Sequence, residues 1–441
     1  MLREEENRIL METGRGTRMG ELLRRYWQPV AAVGELDEIR IKAVRLLGED
    51  LVLYRDGAGT YGCLERHCAH RRADLSYGIV EARGLRCNYH GWRYDEAGQC
   101  TAQPFDDLAF PEARFKEKIQ VQAYPVEARG GLLWVYLGPL PAPLVPDWDM
   151  FHRDGMIQLV FTEIPCNWVQ CQENSIDPVH FEWLHSYWSY DLAGRNGQPA
   201  ARHVRVGFDE FEYGFVYRRL QEGMTEDNPL WTIGRTCLWP NALYTGDHCE
   251  WRVPIDDGRT LSVGWFLDVP APGHELPGGK QYFHWDSPLT DAATGRWINS
   301  HTMNQDFIAW VGQGEAADRT KEHLSPSDRG VIMMRKRLFE EMDVVAEGGD
   351  PKATFRDPTA NHIVKLPYPN TRTGPNLQPN RFPFLAGMPP EVETVFRRVK
   401  TSWLESGGQP SQAAATRVPN EEPVGGGPQG SHPGQTENRP G

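Results

Sequence analysis

Two short segments, Cys68-Ala69-His70-Arg71 and Cys87-Asn88-Tyr89-His90-Gly91-Trp92, restrict the fold of this chain more than any other feature. Each supplies one sulfur and one imidazole, and sixteen residues separate His70 from Cys87. A zinc finger would place its two cysteines together and its two histidines together. The interleaved order instead asks for two paired loops, each carrying one ligand of either kind. Two thiolates and two imidazoles so arranged fit a [2Fe–2S] centre with one iron on Cys68 and Cys87 and the other on His70 and His90. Gly78 and Gly91 suit loops that pack closely against a cluster. His67 falls outside the spacing and reads as a loop histidine. Cys63 and Cys100 read as buried bystanders.

The surroundings are β-rich. Residues 1–36 are predicted to be helical, most clearly at Glu21–Trp27, with Pro29 as the stop. From Ile39 short apolar runs alternate with glycine turns: Leu51–Tyr54, Asp56-Gly57, Thr60–Leu64, then Ile119–Tyr124 and Gly131–Gly138. The proline-rich run 139–146 reads as a stiff linker with a boundary near residue 145. This gives a helical segment over 1–38 and an all-β domain over 39–145. A second domain over 146–404 opens with a strand at 157–164. Strand-like segments follow at 202–208, 211–220, 231–238, 242–246, 248–254 and 260–268, implying one curved antiparallel sheet. Residues 187–200 read as an irregular loop, and 296–313 and 326–346 as helices. The class is α+β. From residue 405 the chain is rich in Gly, Pro, Ser, Gln and Asn, which predicts a disordered tail over 405–441.

Composition narrows the partners. A formal net charge of −13 argues against nucleic acid and anionic membranes. The N-terminal stretch has no apolar signal region, and no run of 18 apolar residues occurs, so a cytoplasmic protein is expected. In a reducing compartment the eight cysteines are not a disulfide framework.

A second constellation lies in Cys166–His185, with Asp177, His180 and His185. On an α-helix, positions five apart differ by roughly 140°. That exceeds one-face spacing, yet long imidazoles can still converge on one ion. Two histidines and a carboxylate suit non-haem Fe(II) and oxygen. The plain alternatives are packing histidines, and an Asp177 that caps the helix begun by Pro178.

With Cys-x-His-x16-Cys-x2-His followed by Gly91-Trp92, the chain resembles the Rieske non-haem iron oxygenases, as the oxygenase component (alpha subunit), in the phthalate dioxygenase-like group. The resemblance spans about residues 8–400 and includes Gly16–Gly20, Leu23–Trp27, Asn167-Trp168, Arg252–Asp257, Asn304-Gln305-Asp306 and Asp318–Leu324. It implies a helix-grip (START-like) catalytic domain in which His180, His185 and Asp306 hold a mononuclear Fe(II). Asp318 and Asp328 are competing carboxylates, and Asp318, Arg319 and Glu322 read as a structural ion-pair cluster. Asp177 matches an acid that bridges His90 of one chain and His180 of its neighbour in a homotrimer or hexamer. Trp310, four residues after Asp306, reads as core rather than pocket wall.

No strand leads into G-x-G-x-x-G, so electrons are expected from a separate NAD(P)H-dependent reductase or ferredoxin. The reaction implied is dihydroxylation of a small aromatic substrate by O2. The alternative is a monooxygenase that removes an O- or N-methyl group. A pure electron carrier would need only residues 39–140, and the His180/His185/Asp306 set argues against it.

Overall fold

The computed structural model describes residues 2–194, 201–369 and 386–405. The expected tail over 405–441 lies outside them but for Glu405, as do residues 195–200 of the expected loop.

The N-terminal segment departs from the expectation of one helical stretch. It holds two short helices, α1 (Glu4–Met11) and α2 (Arg18–Leu23), and then a strand, β1 (Trp27–Ala32), before α3 (Val33–Ile39). Pro29 explains the break: it cannot donate within a helix but fits a strand with an irregular register. The register of β1 does shift, between Pro29 and Ala31.

Three small sheets follow. β2 (Ile41–Leu46), β3 (Glu49–Arg55) and β4 (Tyr61–Glu65) form an antiparallel meander. A second sheet holds β5 (Ile79–Val80), β6 (Leu85–Arg86), β7 (Arg93–Tyr94) and β8 (Cys100–Ala102); one cysteine–histidine loop leads from β4 into it, and the other joins β6 to β7. A short exposed helix, α4 (Pro104–Ala109), comes next. β9 (Ala123–Tyr124) joins the first sheet, and β10 (Val126–Arg129) and β11 (Leu132–Tyr136) form the third with β1. The strand expected at 119–124 is thus only its last two residues. Phe115–Lys118 turn as a 3-10 helix, and Gln120 makes a lone bridge to Gln99.

The second part is built on eight strands in the order β13-β14-β15-β16-β17-β18-β12-β19. Their ranges are β12 (Gly155–Ile164), β13 (His203–Phe211), β14 (Gly214–Gln221), β15 (Arg235–Leu238), β16 (Ala242–Tyr244), β17 (His248–Asp256), β18 (Arg259–Asp268) and β19 (Lys280–Asp286). All neighbours are antiparallel except β12 and β19, which run parallel. β19 was not anticipated; its alternating Lys-Gln-Tyr-Phe-His-Trp-Asp is too polar to stand out.

The helices are α5 (Trp168–Asn174), a π-helical turn at Phe181–Tyr187, α6 (Trp188–Leu192), α7 (Pro229–Thr232), α8 (Thr302–Val311), α9 (Arg329–Ala346) and α10 (Pro390–Glu405); α9 packs in the core with Ile157, Leu159 and Phe161 of β12, and α8 and α10 pack with Met156, Val160 and Ile164. Residues 187–192, expected as loop, are therefore helical. The strand expected from 231 starts only at Arg235, because Asn228 caps α7 through the Leu230 N–H and Pro229 opens it. α8 starts at Thr302 rather than 296, with the His301 side chain accepting from the Met303 N–H.

The proline-rich run does not separate independent bodies. Trp27 Nε1 donates to Pro143 O at 2.9 Å, and Trp239 Nε1 donates to Tyr26 Oη at 2.7 Å. Trp134 meets Trp251 edge-on with ring centroids 5.2 Å apart. One apolar core accordingly runs from Leu51 and Trp134 into Val253 and Trp265. Burial on both faces explains why β12 reads as a largely apolar run, while β17 is buried from His248 to Ile255 although it carries Glu250 and Arg252, which pair with each other. Among the described residues no helix is long and apolar enough to cross a membrane.

Candidate metal centres

The first centre sits at the tip of the small β sheets. Cys68 lies in the loop between β4 and β5, and Cys87 in the loop between β6 and β7. Both thiols are buried, whereas His70 and His90 are exposed. The backbone folds each loop on itself: Cys68 N–H donates to Ala73 O and Cys87 N–H to Trp92 O. Gly91 has φ +74°, and a Cβ there would fall 3.0 Å from Pro104 Cγ. A Cβ at Gly78 would stand 2.8 Å from two carbonyl oxygens. Both positions therefore require glycine.

The His70 and His90 rings are 4.5 Å apart, and His70 stacks on Trp92 at 4.5 Å. Tyr94 Oη lies 3.1 Å from Cys68 Sγ, close enough to donate to a thiolate. Burial pushes the Cys68 thiol up in the absence of a positive partner, and the nearby Cys87 adds to it. Bound iron would offset that cost. The donor set is thus two buried sulfurs below two solvent-facing imidazoles, which fits a two-iron cluster with a sulfur-bound inner iron.

The second centre is formed by α5, the π-helical turn and α8. Among the described residues, His180, His185 and Asp306 are the group whose ligand atoms lie within 4.8 Å of one another. His185 Nε2 is 3.1 Å from Asp306 Oδ1, and His180 Nε2 is 3.7 Å from it. The wide α-helical spacing of the two histidines is resolved locally. A π-helix bonds residues five apart, as Trp188 N–H does to Trp183 O, so side chains at i and i+5 become neighbours. The two imidazole centroids are consequently 5.0 Å apart.

One of the other ring nitrogens is engaged by a neighbouring amide. His185 Nδ1 lies 3.0 Å from Gln305 Oε1, which fixes Nε2 as the free nitrogen. Asn174 Nδ2 donates to Asp306 Oδ1 at 3.3 Å. His185 Nε2 is buried with no hydrogen-bond partner, despite the nearby carboxylate. An acceptor nitrogen without a partner, facing a carboxylate and a second imidazole, is what a ligand set for one hard-to-borderline cation looks like. Burial lowers the proton affinity of His185, but Asp306 and Gln305 outweigh it and hold the pKa above its ordinary value.

Asp177 Oδ2 stands 3.3 Å from His180 Nδ1, while its Oδ1 accepts the Val179 N–H at 2.8 Å. The capping contact is therefore present, and the same side chain faces His180 Nδ1, which is buried without a hydrogen-bond partner. Burial raises the Asp177 carboxyl, but His180 and the Val179 N–H hold it below the usual range.

The competing carboxylates are elsewhere. Asp318 is bound to Thr320 and Lys321, and Asp328 closes a capping box with Ser325. Arg319 forms a two-pronged pair with Glu173, and Arg335 joins Glu173 to Glu322. Trp310 is core: it is 1% exposed and packs on Phe307 and Arg252.

Sequence reasoning gave no role to Gln305, Asn174, Arg219 or Arg235. Gln305 was adjacent to a singled-out residue and carried that much signal. The arginines stand on strands whose inward faces could not be read.

A β unit with a cysteine–histidine cluster site, joined to an α+β unit with a two-histidine, one-carboxylate set, defines the class of oxygen-using two-centre iron proteins. The Rieske [2Fe-2S] domain family matches residues 26–124. The 5,5'-dehydrodivanillate O-demethylase oxygenase subunit of Sphingobium sp. is 53% identical over 368 residues, covering 83% of this chain and 87% of that one. The phthalate 4,5-dioxygenase oxygenase subunit of Pseudomonas putida is 30% identical over 393 residues, covering 79% and 88%. The structure of Pseudomonas putida NdmA with caffeine has TM-score 0.53 at 24% identity, covering 76% of this chain and 94% of that one. The chain belongs to the Rieske non-haem iron oxygenases, as an oxygenase subunit. It carries a [2Fe–2S] domain, and its family uses a mononuclear iron for catalysis.

Proposed function

We propose that this subunit oxidises a methoxylated aromatic compound by O-demethylation. Of the two reactions expected from the sequence, both are consistent with the relatives; the 53% identity to an O-demethylase subunit gives demethylation the stronger support. Ring dihydroxylation is the reading that a dihydrodiol product would restore.

Residues 39–145 form the cluster-bearing unit and 146–404 the iron-bearing unit, with 1–38 packed onto both. Cys68 and Cys87 would hold one cluster iron, His70 and His90 the other, and His180, His185 and Asp306 the mononuclear iron. When bound, the cluster would supply single-electron transfer and an Fe(II) on three protein ligands would supply the chemistry of dioxygen reduction. Gln305 holds His185 in the tautomer that presents Nε2. Asp177 faces His180 Nδ1 at 3.3 Å and, across a subunit boundary, would accept from His90 of a neighbouring copy. Exposure of His90 leaves it available for that contact.

The balance is ArOCH3 + O2 + 2e− + 2H+ → ArOH + HCHO + H2O, with the electrons delivered by a ferredoxin or NAD(P)H-dependent reductase in the cytoplasm. A homotrimer is the assembly that places each cluster beside the next iron. The test is product analysis with a surrogate reductase and a panel of aryl methyl ethers. Formaldehyde equal to the O2 consumed supports the reading. A cis-dihydrodiol, or no formaldehyde from any ether, overturns it.

A further inference from the structure

Asp306 meets the two histidines from a different helix, α8, so the rotation and height of α8 decide where its carboxylate stands. Trp310 follows Asp306 by four residues, and the two side chains leave α8 from one face. The Trp310 ring is buried in the apolar cluster that holds Phe307 and Val160. On the main chain, Gln170 Nε2 of α5 donates to Trp310 O at 2.8 Å and to Gly314 O at 2.9 Å. A charge lies against the ring itself: the Arg252 guanidinium carbon is 5.4 Å from its centroid.

Arg252 is held from behind. Its Nη2 stands 2.9 Å from Glu250 Oε2, and its Nη1 donates to Glu250 O at 2.7 Å. Ser262 Oγ donates to Glu250 Oε1 at 2.6 Å and so fixes the acid in turn. In the pairing of β17 with β18, Glu250 lies opposite Gly264 and Arg252 opposite Ser262. Side chains alternate along a strand, and paired residues share a face, so all three point the same way. Val160 of β12 is opposite Gly264 on that face and packs with Phe307 and Trp310, which makes it the face that α8 covers. Burial pushes the Glu250 carboxyl up, Arg252 and Ser262 pull it down, and the charge of Asp306 adds to the rise.

Glu250 and Arg252 are 2% and 1% exposed. An ion pair this far from water recovers its desolvation only in part, and apolar residues of like volume often serve stability as well or better. Arg252 Nε and Trp310 Nε1 are moreover buried with no hydrogen-bond partner among the described residues. Costs of this kind persist where a site needs them. What the pair supplies is direction. A planar guanidinium braced by a carboxylate and a carbonyl attracts the Trp310 ring to one place, which an aliphatic side chain does not do.

Resting on His180, His185 and Asp306 as the iron ligands, we propose that Arg252, braced by Glu250, is a positioning residue for the mononuclear site: it seats Trp310, and through Trp310 it sets where α8 presents Asp306 to the two imidazoles. The sheet thereby fixes the third ligand, while the π-helical turn fixes the other two.

The experiment uses the full chain with its cluster intact and the mononuclear site emptied by chelation. Isothermal titration with Co(II) reads affinity. Electron paramagnetic resonance of the bound Co(II), taken with the cluster oxidised and silent, reads ligand geometry. In the double variant Glu250→Leu with Arg252→Met both charges leave together, so the thermal midpoint should stay within about 3 °C of wild type. Co(II) should nevertheless bind about tenfold to a hundredfold more weakly, with an altered spectrum. Trp310→Leu should weaken it to the same extent. Arg252→Lys keeps the buried charge pair but not the planar fork, and should show a smaller loss of about fivefold to tenfold. It carries the test if the double variant loses its fold. Affinity within about threefold of wild type and an unchanged spectrum in the folded double variant, or in both Arg252→Lys and Trp310→Leu, overturns the inference. A wild type that takes up no Co(II) overturns the ligand assignment and the inference with it, so the two failures have separate signatures.

Discussion

Glu173 offers the sharpest test of how the iron site is held in place. Its carboxylate accepts from Arg319 Nε at 2.8 Å and Nη2 at 3.0 Å, and from Arg335 Nε at 2.7 Å. Arg319 is fully buried and Glu173 nearly so. Glu173 sits in α5, four residues before Asp177, so the pair anchors the helix that leads into the histidines. Replacing Glu173 by Gln leaves Glu322 to neutralise Arg335 but strands the Arg319 charge. Breaking one side of a buried pair costs about 3–5 kcal/mol; the amide oxygen still accepts one bond, so the lower end applies. At roughly 2–4 °C per kcal/mol for a domain of this size, Glu173→Gln should lower the midpoint by about 6–12 °C.

The same pair makes stability depend on pH. Burial raises the Glu173 carboxyl, but Arg319 and Arg335 outweigh it and hold its pKa below 4.5. A depressed carboxylate contributes fully above its unfolded value and loses that contribution as pH falls through the folded one. The wild type should therefore lose stability below about pH 4.5 more steeply than the variant. Differential scanning calorimetry across pH reads both effects, with cluster absorbance as the control for the β unit. A midpoint within about 2 °C of wild type would refute the reasoning.

Other outcomes follow from single contacts. Tyr94→Phe removes the hydroxyl beside Cys68 Sγ; losing a hydrogen bond of about 1–1.5 kcal/mol to a sulfur should lower the cluster potential by about 40–60 mV, read by spectroelectrochemistry. Asp177→Asn should keep both metal sites filled while turnover falls at least about a hundredfold, since the amide replaces one of the two acceptor oxygens with an NH2 donor. Full activity in that variant removes the bridging role. Replacing His70 or Cys87 should bleach the cluster and leave the second unit folded, as followed by circular dichroism.

The cluster loops were legible because ligand type and spacing alone dictate them. So were most strands of the large sheet, whose turns are marked by Gly, Asp and Pro. The rest depends on contacts distant in sequence. Asp306 came only through resemblance, because 121 residues separate it from His185. The meeting of His180 with His185 needed a π-helix, which has no sequence signature as clear as helical periodicity. Trp27–Ala32 became a strand because β11 lies ready to pair with it, overriding the helical character of the preceding residues. Gln305 could not be given its role before α8 was set against the π-helical turn. Arg219 and Arg235 meet at Phe181 only once β14 and β15 are set beside the π-helical turn.

The central claim is that one chain holds two iron centres on separate residue sets. Iron analysis with electron paramagnetic resonance on the wild type and Asp306→Ala tests it most directly. The wild type should contain about three irons per chain, and the variant about two with an unchanged reduced-cluster signal. A wild type with only the cluster's irons, or a variant that keeps its full iron content, would contradict it.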